Sequence, residues 1–215
     1  MSLKRRLYLF LLPAMLAVVF ITVAGADFLI DDDFNREATG AKPAGYLLEE
    51  TGGGIEIAEV PSATDKSIFL NDPGDKVIKI TKKFAPQAGL VTVELSFMQP
   101  VFGSTAKVVR LLDQEGASAA VHIETRKDTT CFLAYKNADG SFTTLGAYAE
   151  KTWYAIKIVA DVASQKADVY VDGAQKLTQV PFLAPVKTVG AIDSYTPGSS
   201  NKGHYVDNVK VYAGK

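Results

Sequence analysis

Four polar side chains interrupt two apolar runs of this 215-residue chain in a pattern that can do chemistry. Along residues 119–126, His122, Glu124 and Arg126 alternate with Val121, Ile123 and Thr125, and Arg110 breaks the apolar stretch 108–112. In a strand, alternate residues turn to one face, so His122, Glu124 and Arg126 share a side. Arginine and carboxylate groups on such a face can hydrogen-bond sugar hydroxyls, and Arg110 and Arg126 can pair with an acidic polysaccharide. Glu94 and Ser96 alternate out of residues 91–98 in the same way. If these strands are neighbours, a concave polar surface results. The same side chains equally build a cross-strand ion-pair ladder, Glu124 with Arg110 or Arg126, that only stabilises the sheet.

Oxygen ligands form a second set. Asp31, Asp32 and Asp33 run together near the start, and Asp207 and Asn208 lie near the end. First and last strands of an antiparallel sandwich can lie side by side, which would bring Asp32 and Asp33 to Asp207. Carboxylates and amides suit Ca²⁺, so a structural calcium is the one cofactor expected. Asp65 and Asp193 are further candidates. Otherwise the Asp run is simply solvated and Asp207 caps a turn.

Aromatic rings form the third set, because sugars present C–H faces that stack on them. Tyr46, Phe102, Tyr148, Tyr195 and Tyr205 fall in or near loops. Tyr195 and Tyr205 flank residues 198–203 and make the leading pair, with His204 beside the second. Packing is the competing role, as aromatics dominate β cores, and Trp153 reads as core. No Ser elbow, HExxH or P-loop occurs among these residues, so no catalytic residue is assigned.

The elements that must position these groups are short strands. Period-two alternation and β-branched or aromatic enrichment mark residues 54–60, 67–71, 77–84, 91–98, 106–113, 119–126, 130–136, 142–148, 153–161, 166–171, 189–195 and 205–212. Asn137-Ala138-Asp139-Gly140 and Asp172-Gly173 are turn signals between them. No stretch after Asp27 keeps a helical period. The expected fold is all-β, a two-sheet antiparallel β-sandwich or jelly roll, with a closed barrel as the alternative.

Lys4, Arg5 and Arg6 precede an apolar run that begins at Leu7 and ends in Ala24-Gly25-Ala26. This is the pattern of a signal peptide over residues 1–26, with Asp27 opening the mature domain, 27–215. An uncleaved anchor is the rival, since about 20 apolar residues can span a bilayer. Either way the domain is exported, to the extracellular space or the cell envelope, and touches membrane only through residues 1–26. The single Cys131 excludes a disulfide framework and reads as a buried thiol. A formal net charge of −1, with charges interspersed, argues against nucleic acid. A monomer is expected.

Thr152-Trp153-Tyr154, the run from Ala167 to Gly173 with its Tyr170-Val171-Asp172-Gly173 turn, and the closing Tyr205-Val206-Asp207-Asn208-Val209-Lys210-Val211-Tyr212 carry a resemblance. Together they resemble the concanavalin A-like lectin/glucanase superfamily in its laminin-G-like branch. The opening Asp32-Asp33-Phe34-Asn35 is similar to modules attached to secreted polysaccharide-degrading enzymes. The resemblance implies a jelly roll that binds a glycan, with calcium near its terminal strands. The glucanases of that superfamily carry an E-x-D-x-x-E strand with carboxylates about 5 Å apart. Glu94-Leu95-Ser96-Phe97-Met98-Gln99 departs from it, which points to a carbohydrate-binding module; an envelope-associated structural or adhesion domain with a protein partner, and a polysaccharide lyase or glycosidase with an unfamiliar site, are the alternatives.

Overall fold

The computed structural model describes residues 27–74, 76–102, 105–198 and 202–214. The expected signal helix or anchor, residues 1–26, lies outside the described residues. In chain order the strands are β1 (Phe28–Asp32), β2 (Leu47–Glu50), β3 (Gly54–Ser62), β4 (Asp65–Asn71), β5 (Val77–Gln87), β6 (Leu90–Met98), β7 (Lys107–Asp113), β8 (Ala119–Lys127), β9 (Cys131–Lys136), β10 (Phe142–Ala147), β11 (Tyr154–Asp161), β12 (Lys166–Val171), β13 (Ala174–Pro181), β14 (Val189–Pro197) and β15 (His204–Ala213). Each expected strand forms, with ends moved by a few residues. Three more appear. β1 and β2 are short, and β13 buries none of its residues fully. Strands held by backbone pairing at a sheet margin leave little hydrophobic signature.

Two antiparallel sheets result. One runs β13-β12-β11-β6-β15-β4-β3, with β1 also on β15; the other runs β10-β9-β8-β7-β14-β5-β2. Each ends in strands with one neighbour, so the fold is a sandwich and not a closed barrel. Ile55, Ile68, Val93, Phe97, Ile158 and Val206 of the first sheet share a buried core with Ile78, Val121, Ile123 and Leu133 of the second. Removing each such side chain from water stabilises the fold by about 1.5–3 kcal/mol. Cys131 opens β9 and is only half-buried, packed against this core rather than inside it.

Two local features fix the register. Asp172 and Gly173 both have positive φ, 51° and 75°. That is the two-residue hairpin turn whose twist matches the flanking β12 and β13. β15 keeps β6 on one side along its length but changes partner on the other. His204, Tyr205 and Val206 pair with β4, whereas Val209, Lys210 and Val211 pair with β1. A bulge between Asp207 and Lys210 marks the exchange, with Asn208 at φ 51°. Asparagine tolerates that left-handed conformation better than most residues.

His204 is fully buried, and it joins the sheets. Its Nε2 lies 2.8 Å from Ser194 Oγ on β14. Ser194 already donates its proton to the Lys107 carbonyl at 3.0 Å, so the ring N–H donates to the serine oxygen. Nδ1 has no hydrogen-bond partner, and burial pushes the ring down to about 3. An unfolded histidine takes its proton near pH 6.5. Between those values the unfolded chain binds more protons, so stability falls as pH drops, by up to about 1.4 kcal/mol per unit. His204→Gln keeps the donor without the titration. In urea unfolding it should lose less stability than the parent between pH 7 and pH 4; equal losses would contradict this assignment.

Candidate functional site

β8 buries Val121, Ile123 and Thr125 and turns His122, Glu124 and Arg126 to the outward side of the seven-stranded sheet. Arg110 on β7 stands directly opposite His122 on one side and Asp193 of β14 on the other. The four expected residues therefore meet on one face. Glu94 and Ser96 do not join them. β6 belongs to the other sheet, where Glu94 meets Lys157 at 3.1 Å and accepts from Tyr212 Oη at 2.8 Å.

The face is organised around two buried carboxylates. Asp193 Oδ1 accepts from Arg110 Nε at 2.9 Å, and its Oδ2 accepts from Arg110 Nη2. Glu124 Oε1 accepts from Arg126 Nη1 at 2.8 Å, while its Oε2 accepts from Lys107 Nζ. Glu124 thus pairs with Arg126 along its own strand and with Lys107 across to β7, and Arg110 goes to Asp193 instead. Each guanidinium also lies on a ring: Arg110 is 4.6 Å from the centre of Tyr195, and Arg126 is 3.9 Å from that of Phe142. Such cation–π contacts fix the planes of both groups.

Burial alone would raise the Glu124 carboxyl. Its interactions with His122, Lys107 and Arg126 outweigh that and hold it at about 2. His122 moves the other way: burial lowers its pKa, with Glu124 opposing only in part. Its Nε2 is 3.1 Å from Glu124 Oε2, a contact that becomes an ion pair when the ring is protonated but is not aligned as a hydrogen bond.

Lys107, Asp193 and Phe142 were not legible as members of this face. A bulge between Lys107 and Val109 shifts the alternation of β7 and brings Lys107 out beside Glu124. Simple alternation back from Arg110 puts Lys107 on the inner side. Phe142 reaches Arg126 from β10, two strands away.

The terminal carboxylates are arranged differently from the expected trio. Asp32 accepts from Tyr46 Oη at 3.0 Å and meets Lys82 at 3.1 Å. Asp31 faces Lys210 at 3.9 Å, and Asp193 belongs to the other sheet. Asp33 and Asp65 are the carboxylates whose charges bear on Asp207. Asp207 is 2% exposed and accepts from its neighbour Asn208 through N (2.6 Å) and Nδ2 (3.0 Å). Burial, with help from Asp65 and Asp33, pushes it up to about 7. Among the described residues no three His, Cys, Asp or Glu side chains are grouped to hold a metal.

Tyr195 and Tyr205 are not a pair. They face outward from different sheets, because the intervening segment crosses from β14 to β15. Tyr205 stacks on Phe69 at 4.4 Å and 14°, with the Trp153 ring 6.4 Å away. Trp153 is half-buried on that surface and outside the core cluster. Tyr148 is buried, with its hydroxyl donating to Gln99, and Tyr46 and Phe102 pack against the core.

No protein-family model matches the chain, and no curated protein matches it. Solved structures do. A sialidase superposes on 87% of the chain with TM-score 0.69 at 17% identity, and this chain spans only 19% of it. Domain 4 of AbnA, an extracellular arabinanase from Geobacillus stearothermophilus in complex with arabinotriose, gives TM-score 0.58 at 14% identity over 88% of this chain and 93% of its own. A structure of the endo-acting O-glycanases by which human gut microbiota initiate mucin breakdown gives 0.59 at 13% over 88% and 100%. The likeness is one of fold. It confirms the β-sandwich and leaves function to the site.

Glu124 is 1% exposed beneath its cations, and removing one partner of a buried ion pair is costly. Glu124→Gln should cost about 2 kcal/mol, less than a fully buried pair because Lys107 and Arg126 can reach water. Glu124 has a lowered folded pKa, so its contribution is complete above pH 4.5 and lost towards pH 2. The gap between parent and variant should therefore close across that range in denaturant titrations, and a gap independent of pH would refute the charge argument.

Proposed function

We propose that residues 27–215 form an exported, non-catalytic domain of the concanavalin A-like, laminin-G-like type that binds a polysaccharide on the outward face of the seven-stranded sheet. The supporting observation is the pair of guanidiniums held over Tyr195 and Phe142 by buried carboxylates. Donors and rings fixed before the ligand arrives lose little freedom on binding. The AbnA domain bound to arabinotriose and the O-glycanase give the fold a precedent in glycan chemistry. A binding role is favoured over catalysis because Glu124, at about 2, is a poor proton donor or acceptor at neutral pH. The domain works as a monomer outside the cell or in its envelope. Affinity electrophoresis of the chain from Asp27, in gels containing different polysaccharides, should show retardation by one glycan class. A folded protein retarded by none would overturn the proposal and direct attention to a protein partner.

A second reading concerns Asp207. Once ionised, above about pH 7, a buried Asp207 under the influence of Asp33 and Asp65 favours a Ca²⁺ ion, with main-chain carbonyls and water completing the shell. Asp33, Asp65 and Asp207 are not grouped as a metal site among the described residues, so calcium would have to draw them together. With its folded pKa raised above the unfolded value, Asp207 binds more protons folded than unfolded between about pH 4 and 7, so without metal it weakens the fold as pH rises through that window. Calcium should raise the melting temperature at pH 8, much less at pH 5, and not at all in Asp207→Asn. A melting temperature indifferent to calcium and chelator at pH 8 would exclude the site.

A further inference from the structure

We infer that the ligand is an extended, carboxylate-bearing polysaccharide lying across the strands, with Arg126 and Arg110 each taking an acidic group. This rests on the glycan-binding reading of the same face and adds the ligand's charge, length and direction.

The charge follows from depth. The side chains of Glu124 and Asp193 are 1% and 2% exposed, whereas those of Arg126, Arg110 and Lys107 are 39%, 24% and 17% exposed. A ligand therefore meets cations, and the carboxylates lie beneath them. Three cations over two anions leave an excess of positive charge, which hydroxyl groups do not neutralise. Each guanidinium also has donors to spare. Of five N–H bonds, Arg126 commits one and Arg110 two to these carboxylates. The free edge of a planar guanidinium matches a carboxylate in two-pronged fashion.

Length and direction follow from topology. Phe142 on β10 and Tyr195 on β14 are four strands apart, about 19 Å at ordinary interstrand spacing. Arg110 and Arg126 rise from the neighbouring strands β7 and β8, but their guanidiniums diverge, one to the Tyr195 ring of β14 and the other to the Phe142 ring of β10, which favours a chain with acidic groups on separate residues over one sugar carrying one carboxylate. His122, 5% exposed, stands directly across from Arg110 with its Nε2 3.1 Å from Glu124 Oε2.

The test uses the chain from Asp27, which contains both sheets, in gels of a polyuronate, a sulfated polysaccharide and a neutral glucan. The polyuronate should retard it most. Arg126→Gln should weaken retardation at least about tenfold, since a hydrogen bond to a charged group contributes about 1.5–3 kcal/mol. Glu124 keeps Lys107 in that variant. Removing Arg110 alone would strand Asp193, so the second variant is Arg110→Gln with Asp193→Asn, checked by thermal melting and expected to weaken binding similarly. An oligouronate should compete far better than the monosaccharide. Retardation by neutral glucan that ignores both variants would overturn the inference while sparing the glycan-binding role. Preference for the sulfated chain would overturn the carboxylate assignment, and equal competition by monomer and oligomer would overturn the two-anchor track. Retardation by no glycan would remove both readings together.

Discussion

The pairing of β15 with β6 is the interaction on which the arrangement of the eight-stranded sheet rests. It runs from Tyr205 to Ala213 and places β15 at the centre of its sheet. From there β15 holds β4 with its first residues and β1 with its last ones. The bulge at Asp207 and Asn208 is the consequence of serving two partners along one edge. It also explains why a carboxylate is buried there. Where β4 stops and β1 begins, the sheet has a seam, and a seam in hydrogen-bonded backbone is a natural place for a polar side chain. His204 adds a second tie, reaching across the sandwich to Ser194.

On the opposite sheet, ionic groups are layered by depth. A buried carboxylate is costly unless charged partners surround it. Glu124 and Asp193 meet that condition with cations drawn from two adjacent strands, Arg126 of β8 and Lys107 and Arg110 of β7. The result differs from an exposed salt-bridge ladder, in which both signs face water and largely cancel. Here the negative layer is an internal support and the positive layer is the surface. Tyr195 and Phe142 extend that support sideways, so the arginines are constrained from below by charge and at their faces by π systems.

What the sequence discloses and what it conceals divide along a physical line. Local alternation reports local facing, so residues 119–126 and 91–98 announced their inner and outer sides correctly. Partnership across the fold is not local. Asp193 lies 83 residues from Arg110, and nothing in either neighbourhood marks the other. A bulge defeats alternation, which is why Lys107 stayed hidden. Proximity in sequence misled at Tyr195 and Tyr205, since a crossing segment separates neighbours more thoroughly than a long hairpin does. β13 escaped because a margin strand rich in Gln, Lys and Thr has no apolar period to read. The type of Asp32 and the expected pairing of first and last strands point to a metal ligand; β1 does pair with β15, but Lys82 and Tyr46 hold the Asp32 side chain.

The position of β15 has a bearing on how the chain acquires its shape. β1, β4 and β6 are all made before it, yet none of the three pairs with another of them; each waits for residues 204–213. Until then they are open edges, able to join wrong partners. Assembly dominated by such distant contacts is slow. The eight-stranded sheet can therefore be completed only once residues 204–213 are available.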